Sequence, residues 1–208
     1  MNFDFSDDQR LLQQEVRRML ADTSTSAAVR TVLEGKEACC AQVWRNLVAM
    51  GAAGAAIPEA YGGAGLGYLE LCLVAEEIGR HLAAVPVSSS FYLAAEAILH
   101  GGSEQQKQQW LPRIAAGELV ATAALGSAES YRGLPPLAFD GATLSGTAGV
   151  VPDGAIAGLA VLRAGTELVL VDLAGAGVSR RPLSSLDPTR PVAQITFAGT
   201  PAQKLPAE

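Results

Sequence analysis

The first candidate for chemistry is a pair of adjacent carboxylates. Glu76 and Glu77 stand four and three residues before Arg80. Paired carboxylates can serve as a general acid and a general base. The same spacing places all three side chains on one helix face, where carboxylates and a guanidinium form an ion pair. We favour the surface ion pair and keep the acid/base pair as the alternative.

Histidines and cysteines are the next candidates. His81 and His100 each follow an apolar helical pattern, near the negative end of the helix dipole, where a cation is stabilised. We therefore predict helix caps instead of catalysts. Cys39, Cys40 and Cys72 have no CxxC spacing and no neighbouring histidine, so the pattern indicates neither a disulfide framework nor a zinc site.

Two serines could supply a nucleophile. Ser127 and Ser130 lie in the segment Leu-Gly-Ser-Ala-Glu-Ser at residues 125–130. A hydrolase nucleophile elbow requires G-x-S-x-G, with an acid and a histidine following in a fixed order. This sequence has neither, so a serine hydrolase is not favoured.

A glycine-rich loop precedes the most apolar helical pattern of the chain. Its glycines fall at residues 62, 63, 65 and 67, and the sixth position of a G-x-G-x-x-G that starts at Gly63 is Tyr68. Dinucleotide binding would require a glycine there and a preceding strand. The pattern instead favours a loop that packs closely against the start of a helix. From residue 68 to 78 that helix is apolar on almost every face, which predicts burial within a helical bundle.

Composition indicates an ordinary folded protein. With 208 residues, 49% of them hydrophobic, the chain can bury about 70% of its unfolded surface, enough for one large or two modest domains. The net charge of −6 leaves no basic stripe, and 5% aromatic residues provide no stacking platform. Nucleic acid is therefore not a predicted partner.

The chain start and the hydropathy pattern predict a cytoplasmic protein that does not enter a membrane. Residues 1–8 are acidic where a signal peptide would be basic. The longest apolar run, around residues 47–57, is too short to span a bilayer. A reducing compartment also suits the cysteine pattern.

Helical patterns fill residues 1–117. Ser6 with Gln9 and Ser103 with Gln106 predict capping boxes at two helix starts. Further helices are predicted around residues 29–33, 38–50, 68–78 and 91–99, the last ended by two glycines, and the helix after Ser103 is predicted to end near residues 111–112.

Residues 118–208 carry short patterns typical of strands. Turn pairs such as Asp140-Gly141 separate runs rich in Val, Leu, Thr and Ala, with no helical pattern between them. We therefore predict an α+β fold, with an all-α helical domain at 1–117 followed by an antiparallel β-barrel or sandwich domain at 118–208. The predicted strands are residues 119–125, 137–139, 142–145, 159–163, 168–173, 178–182 and 192–197.

Several segments, in the same order, resemble the acyl-CoA dehydrogenase family. Residues 4–12, Asp-Phe-Ser-Asp-Asp-Gln-Arg-Leu-Leu, resemble its first helix, and residues 44–67 resemble its loop between helices. Residues 102–118 resemble the segment that leads into its middle β domain, and residues 183–197 resemble that domain's late strands. The resemblance covers essentially the whole chain and implies the same two-domain order.

The resemblance also implies an FAD site. Family members hold the flavin with a Thr-Glu-Pro and Gly-Ser-Asp loop and with a Trp-Ile-Thr strand. The corresponding segments here read Gly-Ser-Ala-Glu-Ser-Tyr-Arg-Gly at residues 126–133 and Val-Val-Pro at residues 150–152, so the usual side-chain donors are replaced. Backbone N–H and C=O groups are then the implied contacts. They belong to Leu125, Gly126, Ser127, Val150, Val151 and Pro152.

The implied reaction is α,β-desaturation of an acyl-CoA thioester in fatty acid or steroid catabolism, with electron-transfer flavoprotein as the acceptor. In the family, a glutamate in a C-terminal helical bundle removes the α-proton. That bundle would begin where this sequence ends, at Glu208, so no catalytic residue is assigned. The chain is then expected to be a fragment of a longer dehydrogenase or a short subunit that borrows the missing half.

Two further functions stay open beside the flavoprotein. The main rival is a non-catalytic scaffold subunit of a heteromeric acyl-CoA dehydrogenase, with a degenerate flavin site. An acyl-CoA hydrolase, which rests only on the scattered serines, comes third. The helix at 68–78 and apolar runs such as residues 168–171 need cover on more than one side, so we predict a homo-oligomer or pairing with another dehydrogenase subunit.

Overall fold

The computed structural model describes residues 4–126 and 133–206 of the chain. Its order of elements, helices first and strands second, confirms the α+β prediction. Six α-helices precede the strands, with a 3-10 turn at Glu59–Tyr61 and a π-helical segment at Ser88–Ala95. The helices are α1 (Asp7–Thr23), α2 (Ser26–Leu33), α3 (Ala41–Ala49), α4 (Tyr68–Arg80), α5 (Glu96–Gly101) and α6 (Glu104–Ala115).

Both predicted capping boxes are present. The Ser6 side chain accepts the Gln9 N–H at the start of α1, and the Gln9 side chain accepts the Ser6 N–H in return. Ser103 and Gln106 form the same pair at the start of α6. The predicted end of α6 was too early, because Pro112 lies inside a helix that continues to Ala115.

The helix α4 is buried on one side only, which corrects the sequence prediction. Tyr68 and Leu69 are 56% and 47% exposed, and Cys72 is exposed as well. Conversely, the charged side chain of Glu77 is fully buried. The apolar pattern could not reveal this orientation, because it depends on α1, a distant segment that packs against α4.

The glycine loop packs closely, as predicted. A Cβ atom at Gly63 would lie 2.0 Å from the carbonyl oxygen of Ile57. Gly62, which ends the 3-10 turn, has φ of 78°. Only glycine meets both demands without strain, so the loop serves packing.

In the described residues, eight strands form two sheets of four. They are β1 (Ala121–Ala124), β2 (Ala138–Phe139), β3 (Thr143–Pro152), β4 (Leu159–Ala164), β5 (Glu167–Asp172), β6 (Val178–Leu183), β7 (Val192–Pro201) and β8 (Gln203–Lys204). The first sheet has the order β1-β4-β5-β8 and the second β2-β3-β7-β6. Within the part of the chain that the structure describes, the sheets do not close into a barrel, so the sandwich alternative is the correct one.

Two features of the sheets differ from the prediction. β1 pairs with β4 in parallel, with Ala121 opposite Leu159, whereas all other pairs are antiparallel. β3 runs seven residues past its predicted end, because it continues through Gly146, at φ of 116°, with a shift of register there. Bulges of this kind allow a strand to bend without losing its partner.

The first sheet is the middle of three layers. Along β4, Leu159 and Val161 belong to the core shared with the helices, whereas Ala160 and Leu162 belong to the core between the two sheets. This alternation follows the two-residue period of a strand. Because one apolar core crosses residues 117 and 118, the division into domains there stays a prediction.

The length and hydropathy of the helices bear on membrane insertion. Among the described residues, no helix is both long enough and apolar enough to cross a bilayer.

Candidate functional site

The ends of β1 and β3 lie side by side. The Thr122 hydroxyl, fully buried in β1, donates to the Pro152 carbonyl at the end of β3 at 2.6 Å. A second contact, from the Gly158 N–H to the Val120 carbonyl at 2.8 Å, holds the turn after β3 against β1. The structure therefore brings together the two segments whose residues the sequence proposed as cofactor contacts.

The predicted contact residues occupy different environments. Leu125 and Val150 are 40% and 38% exposed, and the space around Gly126 is open. Val151 is fully buried and Pro152 partly buried. Ser127 lies outside the described residues. Side chains can thus contact a ligand at Leu125 and Val150, while Val151 can do so only through its backbone.

Val150 lies at an irregularity in the ladder. The pairing of β3 with β7 shifts between Ala148 and Val151, which faces Ala193. Gly149 and Val150 therefore have no partner residue in the regular register. Bulges next to functional sites often present backbone and side chain to a ligand.

A serine-rich helix start supports these strand ends from behind. The Ser90 hydroxyl donates to the Ala121 carbonyl of β1 and accepts the Ala121 N–H, both at 2.9 Å. Ser89 contacts the Asp153 carboxyl at 2.5 Å, directly after β3. Both serines are buried in the π-helical segment, a geometry that recurs at functional sites. Sequence reasoning missed this support, although three consecutive serines at the start of an otherwise apolar helix were a visible signal.

Burial is the main cause of the pKa shifts of the groups behind the site. Asp153 is 5% exposed, and burial raises the pKa of its carboxyl above the ordinary aspartate value. Burial also raises the pKa of the Cys39 thiol, and the nearby Cys40 adds to that shift. The Arg190 guanidinium donates to the Ser88 hydroxyl and opposes the shift at Asp153.

The glutamate pair proves to be structural, which corrects its description as a surface pair. The fully buried Glu77 carboxylate accepts two bonds from Arg17 of α1, at 2.7 and 3.0 Å. These bonds hold its pKa below the ordinary glutamate value, so it stays ionised and is a poor proton acceptor. Glu76 remains on the surface and pairs with Arg80 at 2.9 Å.

The histidines lie at helix ends. His81 is the C-cap of α4, with its Nδ1 atom 2.9 Å from the Glu77 carbonyl oxygen, as the cap prediction requires. His100, in the last turn of α5, lies with its Nε2 atom 3.0 Å from the Tyr68 hydroxyl and 3.2 Å from the Glu96 carboxylate. Neither histidine contacts the strand ends by any of these bonds.

Comparison with known proteins identifies the family. Residues 6–118 match the model described as "Acyl-CoA dehydrogenase, N-terminal domain", which is more than half of the chain. The chain belongs to the acyl-CoA dehydrogenase family. Its fold extends the assignment past the matched residues, since solved structures of the family superpose on both the helices and the sheets.

Individual relatives and solved structures are similar to this chain over different shares of its length. The mitochondrial isovaleryl-CoA dehydrogenase of Pongo abelii is 34% identical over 122 residues, which cover 58% of this chain and 29% of that protein. A variant of the Tcur3481-Tcur3483 steroid ACAD superposes with a TM-score of 0.84 at 31% identity, over 96% of this chain and 57% of that one. The ChsE4-ChsE5 complex from Mycobacterium tuberculosis superposes with a TM-score of 0.87 at 26% identity, over 100% of this chain and 59% of that one.

The chain spans less than two thirds of the length of each of these proteins. It covers 29% of the isovaleryl-CoA dehydrogenase and close to three fifths of each solved chain. Family membership therefore assigns the fold, and the role of the chain in catalysis is a matter for proposal.

Proposed function

We propose that this chain forms the helical and middle β part of an acyl-CoA dehydrogenase flavoprotein, with FAD along the ends of β1 and β3. The observation that carries the proposal is the 2.6 Å bond from Thr122 to Pro152, which joins the two segments that resemble the flavin contacts of the family. Separate segments 30 residues apart would not otherwise share one ligand.

The groups at these strand ends suit the flat face and polar edge of a flavin. Leu125 and Val150 offer exposed apolar side chains, and the open space at Gly126 permits close approach to the backbone. Backbone N–H and C=O groups of residues 125–127 and 150–152 are the proposed polar contacts. FAD, when bound, supplies the hydride acceptor for α,β-desaturation of an acyl-CoA thioester.

The described residues at the strand ends provide no base for this reaction. The carboxyl nearest the strand ends in sequence is Asp153, which is buried and bonded to Ser89. It is not placed to take a proton from a substrate, because general bases need a direct or single-water contact with that proton. We infer that residues outside this chain, or a partner subunit, complete the site.

A partner of the same family is the proposed completion. One of the solved structures that match over this chain's full length is a complex of two proteins, ChsE4 and ChsE5. We propose homo-oligomerisation or pairing with another acyl-CoA dehydrogenase subunit, and electron-transfer flavoprotein as the electron acceptor. A cytoplasmic location agrees with the free thiols of Cys39, Cys40 and Cys72.

The scaffold function has an observation of its own. The Thr122 hydroxyl is already bonded within the chain, and the exposed side chains beside it, Leu125 and Val150, are apolar. The described residues of the site then offer no free side-chain donor, and with backbone donors alone flavin would bind weakly. The chain would then support a catalytic homologue without holding FAD itself.

Flavin retention separates the two functions. The purified chain, alone and with an acyl-CoA dehydrogenase subunit, is incubated with FAD and passed over a gel-filtration column, and bound flavin is read from its absorbance. The flavoprotein proposal expects retained flavin, lost on Val150→Asp and kept in the matched control Leu11→Asp, an exposed leucine of α1. Flavin absent from the complex, or unaffected by Val150→Asp, favours the scaffold.

Catalytic turnover tests whether the base is supplied from outside this chain. We expect no dye-coupled desaturation of an acyl-CoA by the chain alone, since the base is missing, and activity once a C-terminal helical bundle is added in cis or in trans. Turnover by the chain alone above a heat-killed control would contradict the proposal.

A further inference from the structure

The Ser89 hydroxyl lies between two oxygen atoms. Its Oγ atom is 2.5 Å from the Asp153 Oδ2 atom and 3.0 Å from the Pro86 carbonyl oxygen. A hydroxyl carries one proton, and a carbonyl can only accept. If Asp153 were ionised, two acceptors would compete for that proton. A protonated Asp153 satisfies both contacts, because the carboxyl donates to Ser89 and Ser89 donates to Pro86.

Burial favours the protonated form. Asp153 is 5% exposed, and an ionised carboxylate in such a place is stable only with a cation or several donors bound to it. The facing charge is Arg190, whose guanidinium donates to the Ser88 hydroxyl. The other facing titratable group is the Cys39 thiol, whose pKa is raised by its own burial. Neither donates a hydrogen bond to Asp153 in this structure to replace the lost hydration.

Three features fix the backbone of Asp153: its φ angle, the bond from its N–H and the bonds to its carbonyl. Its φ of 51° is left-handed, a conformation that aspartate tolerates better than most residues. Its N–H donates to the Pro191 carbonyl at 2.8 Å, and its carbonyl accepts from Ile156 and Ala157 at 3.0 and 2.9 Å. A residue held in this way sets the position of the preceding Pro152.

We propose that Asp153 is a neutral carboxylic acid that donates to Ser89 and so positions the end of β3 against the π-helical segment. It is a positioning residue for the Val150–Pro152 segment, and this part rests on the proposed function. The protonation of Asp153 and its effect on the β3 end do not depend on flavin binding.

The contribution of Asp153 to folding stability should fall as pH rises, which is opposite to the usual behaviour of a carboxyl group. A carboxyl whose pKa is raised in the folded state binds its proton more tightly there than in the unfolded chain. The folded state is therefore favoured at low pH and loses this advantage as pH rises from the ordinary aspartate value to the raised one. Carboxylates such as Glu77, whose pKa is lowered, act in the opposite direction, so the effect has to be isolated by comparison.

Asp153→Asn makes that comparison, because an amide also donates to Ser89 but does not titrate. Across the window, we expect the unfolding equilibrium constant of the parent to rise relative to that of the variant by up to about tenfold per pH unit. The matched control is Asp22→Asn on the exposed face of α1, which removes a carboxyl without changing the Ser89 contact. Carbon-13 NMR of aspartate-labelled protein should show the Asp153 carboxyl titrating above the ordinary aspartate value. A midpoint at or below that value would overturn the proposal.

Amide hydrogen exchange tests the positioning role without flavin. In Ser89→Ala, which removes the contact and keeps aspartate at the left-handed position, the N–H groups of Ile156 and Ala157 should exchange at least about tenfold faster, whereas Asp153→Asn should keep the parent rate. Equal rates in all three proteins would refute the positioning role. Flavin release should follow the same order, and a parent that binds no FAD would refute the proposed function while leaving the exchange and NMR results decisive for Asp153.

Discussion

The guanidinium of Arg17 in α1 binds both carboxylate oxygens of Glu77 in α4, at 2.7 and 3.0 Å. Glu77 is fully buried, whereas half of the Arg17 side chain is exposed. The pair joins two helices 60 residues apart in sequence, and it places an ionised group in the helical core. Such a pair contributes little net stability compared with an apolar pair, but the loss of one partner leaves the other without compensation.

Removal of Arg17 should therefore destabilise the protein. We expect Arg17→Met to lower the melting temperature by about 5–10 °C, because the buried carboxylate loses its two best donors. Arg18→Met is the control, since Arg18 bonds only to Glu15 on the surface of α1 at 2.7 Å, and it should change the melting temperature by less than about 2 °C. Scanning calorimetry measures both.

The same pair predicts an acid effect. The Arg17 bonds hold the pKa of Glu77 below its ordinary value, so the stability they give is present above that value and lost as pH falls through the lowered one. In Arg17→Met the pKa of Glu77 should rise. The stability deficit of the variant should then shrink in acid, and a deficit that is constant with pH would contradict this explanation.

Gly63 should tolerate no side chain. A Cβ atom there would meet the Ile57 carbonyl oxygen at 2.0 Å, which requires the backbone to move. We expect Gly63→Ala to cost about 3 kcal/mol or more in the free energy of unfolding. The control Gly79→Ala has open space within α4 and should stabilise by about 0.5–1 kcal/mol. Urea titration compares the two, and a neutral Gly63→Ala would mean that the loop is loosely packed.

Replacement of Thr122 should destabilise the protein more than replacement of a threonine on the sheet surface. Thr122→Val keeps the volume but leaves the Pro152 carbonyl without its donor, and we expect a loss of about 1–3 kcal/mol together with weaker flavin retention. Thr147→Val, which removes a contact to Thr196 on the sheet surface, should cost less than about 0.5 kcal/mol. Stability lost without any change in flavin retention would separate the packing role of Thr122 from the proposed cofactor site.

The Asp140 turn should be resistant to acid. The N–H groups of Thr143 and Ala142 and the Thr143 hydroxyl all donate to the carboxylate, which lowers the pKa of Asp140 to about 2. The turn therefore keeps its bonds well below the ordinary aspartate range and loses them as pH falls through about 2. Thr143→Val should raise the pKa of Asp140, as NMR titration can measure. An unchanged midpoint would show that the two backbone donors suffice.

Local patterns in the sequence determined most of the helices and strands. The capping boxes at Ser6 and Ser103 depend on residues three apart, and turn pairs such as Asp140-Gly141 separate strands wherever they occur. Segments in family order led to the β1 and β3 ends as the candidate flavin site, which stays a prediction. The helix and strand predictions succeed because each rests on interactions within a few residues of one chain segment.

Tertiary structure decided everything that depends on a distant partner. The parallel pairing of β1 with β4, the burial of Glu77 beneath Arg17, and the contact of Ser89 with Asp153 across 64 residues leave no periodic signal in the sequence. The same holds for β3, which continues through a bulge because β7 pairs with it both before and after the bulge. A buried charge or an added strand residue is stable only when a remote segment supplies the bonds that water would otherwise provide, and only the folded chain brings those segments together.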